Sequence, residues 1–116
     1  MAFQHRYDRK KQALSDQECQ ALQACKVAVI GCGGLGGYVA EHLARIGVGS
    51  LRLVDADVFE ESNVNRQLFC TEETVGVAKV DAAAKRLAAV NSSVAVEPVR
   101  AYLTSDNAAD LIAECH

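Results

Sequence analysis

Four glycines in six residues, Gly31-Cys32-Gly33-Gly34-Leu35-Gly36, follow the apolar run Val27-Ala28-Val29-Ile30 and open into a stretch of helical periodicity. A turn of this kind leaves backbone N–H groups unpaired at the positive end of a helix dipole, which makes a seat for phosphate. Gly31 permits the tight turn, Gly33 lets phosphates approach the backbone, and Gly36 lets the helix pack close to the strand. Asp55 ends the next apolar run, Leu51-Arg52-Leu53-Val54. A carboxylate there, about 20 residues beyond the last glycine, can accept hydrogen bonds from ribose hydroxyls. These features suit NAD as well as ATP.

Two cations separate those ligands. Arg66 lies in the run from Asp55 through Asp57, Asn63 and Gln67, and Lys79 closes Val75-Gly76-Val77-Ala78-Lys79. A dehydrogenase has no need for two cations projecting from this segment toward the phosphate seat. An adenylating enzyme does, because charge builds on the phosphoryl oxygens and the departing pyrophosphate when a carboxylate attacks the α-phosphorus of ATP. Removing one such donor typically costs about 10²–10³-fold in rate.

The elements that must position these residues can be read from periodicity. Ser15 with Glu18 is a capping box and predicts a helix over 16–24. A strand at 26–30 precedes a helix over 35–46, with Leu35, Val39, Leu43 and Ile46 on its core stripe, stopped by Gly47 and Gly49. A strand at 51–54 ends at Asp55, and 56–76 reads as irregular with a helical turn near Asn63–Phe69. A helix over 77–90 turns Val80, Ala84 and Leu87 to the core. A strand at 94–100 and a helix over 105–114 complete the order. This β-α-β alternation predicts an α/β, Rossmann-like three-layer fold with a parallel sheet in the order 3-2-1. Pro98 fits the edge position of the third strand. The sheet is expected to be truncated before a fourth strand, leaving the strand 26–30 open to self-association. Residues 1–25 read as an N-terminal arm and helix, and 26–116 as the N-terminal half of a Rossmann-like ATP-binding domain.

Composition bounds the reading. A chain of 116 residues, half of them apolar, with net charge −3 and one proline, fits a single globular domain rather than a nucleic-acid binder or a disordered tail. No apolar run is long enough to span a membrane, and the polar start does not read as a signal peptide. The short basic cluster Arg6, Arg9, Lys10 and Lys11 is by default a solvated one. Five cysteines, none in a Cys-x-x-Cys pair, argue against a disulfide framework or a zinc site and for a reducing, cytoplasmic setting. Cys32 stands near a helix N-terminus, where thiol pKa values tend to fall, yet it reads as a small residue that fits. Cys70 and Cys115 read as structural.

Together these motifs, from Arg6-Tyr7-Asp8-Arg9 through the glycine loop and Ser62-Asn63-x-x-Arg66-Gln67 to Lys79, resemble the ThiF/MoeB/HesA family of adenylyltransferases related to the ubiquitin-activating enzymes. The resemblance implies the ATP-binding portion of an enzyme that activates the C-terminal glycine carboxylate of a ubiquitin-like or sulfur-carrier protein as an acyl adenylate, using ATP and Mg2+. On it, Gly31, Gly33, Gly34, Leu35 and Gly36 form the phosphate loop, Asp55 the ribose ligand, and Asp57, Asn63 and Gln67 further nucleotide contacts. Arg66 and Lys79 take the catalytic positions. Arg9 matches an arginine that reaches the partner's ATP site in a homodimer. Departures are mild: Val64-Asn65 stands where Leu-Gln is frequent, Ala78 where proline often precedes the lysine, and Lys10 where glutamine often follows the arginine. The family's magnesium-binding aspartate, its carrier surface, its frequent Cys-x-x-Cys zinc site and, in some members, a thioester cysteine lie downstream of the matched region. The stretch by itself is therefore expected to be inactive. Two other readings stand beside it: a non-catalytic nucleotide-binding or dimerisation module, and an NAD-dependent oxidoreductase domain.

Overall fold

The structure is a computed structural model and describes residues 5–10 and 13–116; Lys11 of the basic cluster lies outside them. The element order is α1 (Asp16–Ala24), β1 (Lys26–Ile30), α2 (Gly34–Ile46), β2 (Ser50–Val54), α3 (Lys79–Val90), β3 (Ala95–Val99) and α4 (Ala108–Leu111), with a 3₁₀ turn at Glu61–Asn63 between β2 and α3. The capping box forms: the Ser15 hydroxyl accepts the Glu18 amide at 3.1 Å and the Glu18 carboxylate accepts the Ser15 amide at 2.9 Å. Gly47, at φ +92°, ends α2 in the left-handed conformation that suits glycine.

The three strands make an open parallel sheet with β2 in the middle and β1 and β3 at its edges, the expected 3-2-1 order. Pro98 lies in edge strand β3, opposite Leu53. Alternation along the strands divides the sheet's faces. Val29, Leu51 and Leu53 pack with Ala40, Ala44, Val80, Ala83 and Leu87 into one core beneath α2 and α3. On the opposite face Arg52, buried in the middle strand, donates to Glu97 at 2.9 Å and to the carbonyls of Leu111 and Ala113 at 2.9 Å each, tying α4 across that face. Among the described residues no helix is long and apolar enough to cross a membrane.

Several expected details change. The stripe Leu35, Val39, Leu43, Ile46 does not face the core: Leu35 is 79% exposed, Val39 and Ile46 are exposed, and only Leu43 packs against the core. The buried positions of α2 are Gly37, Ala40 and Ala44. Close approach of the helix to the sheet selects small residues, so the stripe of large ones turns outward. In α3, Ala83 is buried where Ala84 was expected, and the helix starts at Lys79, two residues late. The expected strand at 94–100 is the five residues of β3. The expected turn near Asn63–Phe69 begins earlier, at Glu61. The helix expected over 105–114 shortens to α4. Asn107 is engaged with Thr104 and Tyr102 ahead of it, and Glu114 behind it stands at φ +66°.

Candidate functional site

The site lies at the C-terminal ends of β1 and β2. The chain leaves β1 through Gly31, at φ +97°, whose amide donates to Val54 O at 2.7 Å. A Cβ on Gly36 would lie 1.8 Å from Gly31 O, so the first turn of α2 can fold back on the loop only with glycine there. A Cβ on Gly33 would meet the Gln67 carboxamide at 3.3–3.5 Å, so that side chain lies beside Gly33. Gly34 faces open space. The N-cap Gly33 offers no side-chain hydrogen bond, and Gly37 is the first amide of the helix to reach a backbone acceptor, at Gly33 O. The amides of the turn before it, at Gly34, Leu35 and Gly36, are thus left for a ligand or water.

Asp55 connects this loop to β2. Its Oδ2 accepts the Cys32 amide at 2.9 Å and its Oδ1 accepts the Asp57 amide at 2.9 Å. Each carboxylate oxygen keeps a lone pair for a hydroxyl. Asp57 O in turn accepts the Lys79 amide at 2.9 Å, while Phe59 exchanges backbone bonds with Val77 and Gly76, at 3.0 and 2.8 Å. These bonds bring together the ends of the 60–76 excursion, which carries Asn63, Arg66 and Gln67. The Asn63 carboxamide accepts the Glu60 amide at 2.9 Å. Arg66 is exposed and is steadied by Ser62 O and Asn65 Oδ1 at 2.9 and 3.0 Å.

A cavity of about 360 Å³ opens between these elements, lined by Asp57, Val58, Glu60, Asn63, Arg66, Gln67 and Lys79. Lys79 is only 9% exposed, and its Nζ lies 5.5 Å over the Phe59 ring without an ion pair among the described residues. Beside it Gln67 Oε1 is buried without a hydrogen-bond partner. A desolvated cation without a carboxylate costs free energy that an anionic ligand would return. A second cavity, of about 160 Å³, runs from Gly31 and Asp55 to Tyr102 and Leu103, with Asp57 lining both. A larger cleft, about 680 Å³, lies elsewhere, under Arg6, Arg45 and the C-terminal end of α3. Helix carbonyls there face the wrong way for an anion.

The fold therefore gathers Gly31, Gly33, Gly34, Gly36, Asp55, Asp57, Asn63, Arg66, Gln67 and Lys79 around one end of the sheet. Leu35 shares the loop through its backbone, its side chain pointing to solvent. Arg9 is not gathered. Its neighbours Tyr7 and Lys10 sit on Gly47 and Ile46 O, at the far end of α2, roughly 20 Å from the glycine loop for a 13-residue helix. Asn91 holds that segment down, donating to Tyr7 Oη at 2.7 Å and Ala44 O at 2.8 Å and accepting from Arg6. The Cys32 thiol is no nucleophile: burial pushes its pKa up to about 12, with Asp55 adding and Lys79 opposing. Sequence reasoning passed over Phe59, which lies under Lys79, and Tyr102, whose hydroxyl donates to Asp57 Oδ1 at 3.2 Å. An aromatic residue in an unpatterned loop carries no local signal of either role.

Known proteins resemble this chain in sequence and in fold. The chain is 39% identical over 102 residues to the tRNA threonylcarbamoyladenosine dehydratase of Bacillus subtilis, covering 88% of this chain and 40% of that protein. It is 48% identical over 91 residues to the bovine (Bos taurus) adenylyltransferase and sulfurtransferase MOCS3, covering 78% of this chain and 20% of that one. The chain thus spans less than half the length of these relatives. The crystal structure of the Escherichia coli tRNA N6-threonylcarbamoyladenosine dehydratase TcdA in complex with ATP superposes with a TM-score of 0.93 at 30% identity, over 98% of this chain and 47% of that one. The ThiF family model matches residues 7–116. With the glycine loop, Asp55, Arg66 and Lys79 gathered at one end of an open parallel sheet inside that match, the chain belongs to the ThiF family.

Proposed function

We propose that this chain is the ATP-binding portion of an adenylyltransferase that activates the C-terminal glycine carboxylate of a ubiquitin-like or sulfur-carrier protein. The observation that carries the reading is Lys79, a buried ammonium with no carboxylate partner among the described residues, facing a cavity shared with Arg66 and the orphaned Gln67 oxygen. The nucleotide's ribose hydroxyls donate to Asp55, and its phosphates meet the open amides of Gly34, Leu35 and Gly36. A carrier carboxylate oxygen attacks the α-phosphorus, the bond from that phosphorus to the bridging oxygen breaks, and pyrophosphate departs with the electron pair. Lys79 and Arg66 stabilise the charge gathering on the leaving group. Asn63 holds the Glu60 end of the excursion that presents Arg66. The relatives' names support this reading, one an adenylyltransferase and one a protein crystallised with ATP.

Mg2+ would travel with the nucleotide's phosphates. Zinc has no part in this portion of the reading. The working unit is a homodimer in which Arg9, remote from its own glycine loop, serves the partner's site. Five free cysteines suit a reducing cytoplasm. An NAD-dependent oxidoreductase would leave Arg66 and Lys79 without an anion of their own. A binding module without chemistry would hold ATP without catalysing pyrophosphate exchange in the longer protein. Calorimetric titration with MgATP and separately with NAD⁺ tests the reading. Preferential ATP binding that is lost in Lys79→Ala supports it, and NAD⁺ preference indifferent to Lys79 overturns it.

A further inference from the structure

The second cavity, at the ends of β1 and β2, is bridged on its outer side by the strap of residues 100–107 that joins β3 to α4. Two bonds tie this strap to the segment after β2: Arg100 Nε donates to Ala56 O at 3.4 Å, and the Tyr102 hydroxyl donates to Asp57 Oδ1 at 3.2 Å. The strap is braced internally by Asn107, which donates to Tyr102 O at 2.7 Å and accepts the Thr104 amide at 2.8 Å. Tyr102, 69% exposed, and exposed Leu103 line the cavity. Asp57 is common to both cavities, and its carbonyl fixes the first residue of the helix that carries Lys79.

We propose that Tyr102 is a latch: its hydroxyl on Asp57 holds the strap closed across the nucleoside end of the site and slows release of the bound nucleotide. The proposal rests on the ATP reading above for the identity of that nucleotide. A hydrogen bond exposed to solvent is weak by itself, which suits a closure that must open for each entry. The phenol's pKa is raised by the bond to Asp57, consistent with its proton pointing at the carboxylate. Tyr102 is a positioning residue, since it acts through Asp57.

The test is Tyr102→Phe, which keeps the ring and deletes the hydroxyl, with Asn107→Ala as a second variant that loosens the strap without touching Asp57. Release of a fluorescent ATP analogue is followed by stopped flow, and amide exchange across 101–107 is measured without ligand. Both variants should release the analogue roughly 3- to 10-fold faster and exchange faster in the strap, with α3 and β1 unchanged. Wild-type release and wild-type strap exchange in Tyr102→Phe overturn the latch. Failure of the wild type to bind ATP overturns the ATP reading instead, while strap exchange still decides whether Tyr102 holds the strap.

Discussion

The carboxylate of Asp55 accepts the amide hydrogen of Cys32 at 2.9 Å, across 23 positions of sequence, and so joins the end of β2 to the glycine loop after β1. Two loop amides, those of Gly31 and Cys32, are thereby spent inside the protein on Val54 O and Asp55, and the amides of Gly34, Leu35 and Gly36 have no backbone acceptor among the described residues. Asp55 thus acts on the loop's shape before any ribose arrives.

Asp55→Asn puts an amide group where one of two backbone N–H donors needs an acceptor. A hydrogen bond to a charged group is worth about 1.5–3 kcal/mol, so stability should fall by roughly that amount and ATP affinity by about tenfold or more. Thermal unfolding read beside an ATP titration checks both. A variant that loses affinity at unchanged Tm would confine Asp55 to ligand contact.

The glycines should separate by what surrounds them. Gly36→Ala drives a Cβ to 1.8 Å from Gly31 O and should cost about 3 kcal/mol or more, with loss of nucleotide binding. Gly33→Ala presses on the Gln67 carboxamide and should be relieved by Gln67→Ala in the double variant. Gly34→Ala meets open space and should fold as the wild type does. Chemical denaturation of the four proteins gives the ranking.

Lys79 should trade stability for binding. Lys79→Met replaces a buried ammonium that has no ion pair among the described residues with an apolar chain of similar length, so Tm should rise, by the equivalent of roughly 1 kcal/mol, while ATP binding is lost. A fall in Tm would mean that the contact with the Phe59 ring stabilises the fold by more than desolvation costs. Arg66→Ala differs: exposed and held by Ser62 O and Asn65, Arg66 should matter most as charge develops. ATP–pyrophosphate exchange should drop about 10²-fold or more, with ATP affinity much less affected.

Glu41 should govern part of the acid limb of stability. It links α2 to α3, accepting from Arg86 at 2.8 Å and from Arg45 at 3.3 Å. The Arg86 hydrogen bond, more than Arg45, holds its carboxyl below the ordinary value of 4.5. A depressed carboxylate pKa stabilises the fold above 4.5, and that contribution disappears as pH falls through the folded value. Glu41→Gln should therefore unfold at lower temperature than wild type at pH 7, and the gap should close below pH 4.5. A gap that persists at pH 3 would point to packing rather than charge.

Much of the site was legible in the sequence because its signals are local. The glycine turn, the acid ending the second strand, the Ser15–Glu18 box and the two cations sit at spacings that reflect turn geometry, capping and strand ends. Long-range neighbours left no such mark. The α2 stripe Leu35, Val39, Ile46 has perfect helical spacing yet points to solvent, since the helix lies so close to the sheet that only Gly37, Ala40 and Ala44 fit between. Periodicity identifies a face but not the direction in which the rest of the chain approaches it.

By itself, then, the sequence determined the order of the elements, the parallel 3-2-1 sheet and the residue types that meet a phosphorylated ligand, all of which follow from short-range sterics and alternation. Tertiary structure alone decided that Gln67 lies against Gly33, that Arg52 ties α4 to the second face of the sheet, that Arg9 stands at the far end of α2, and that Lys79 is buried without an ion pair among the described residues. Each of those depends on contacts between segments far apart in the chain, where the free energy of burial and charge is set by whatever the folded neighbours supply or withhold.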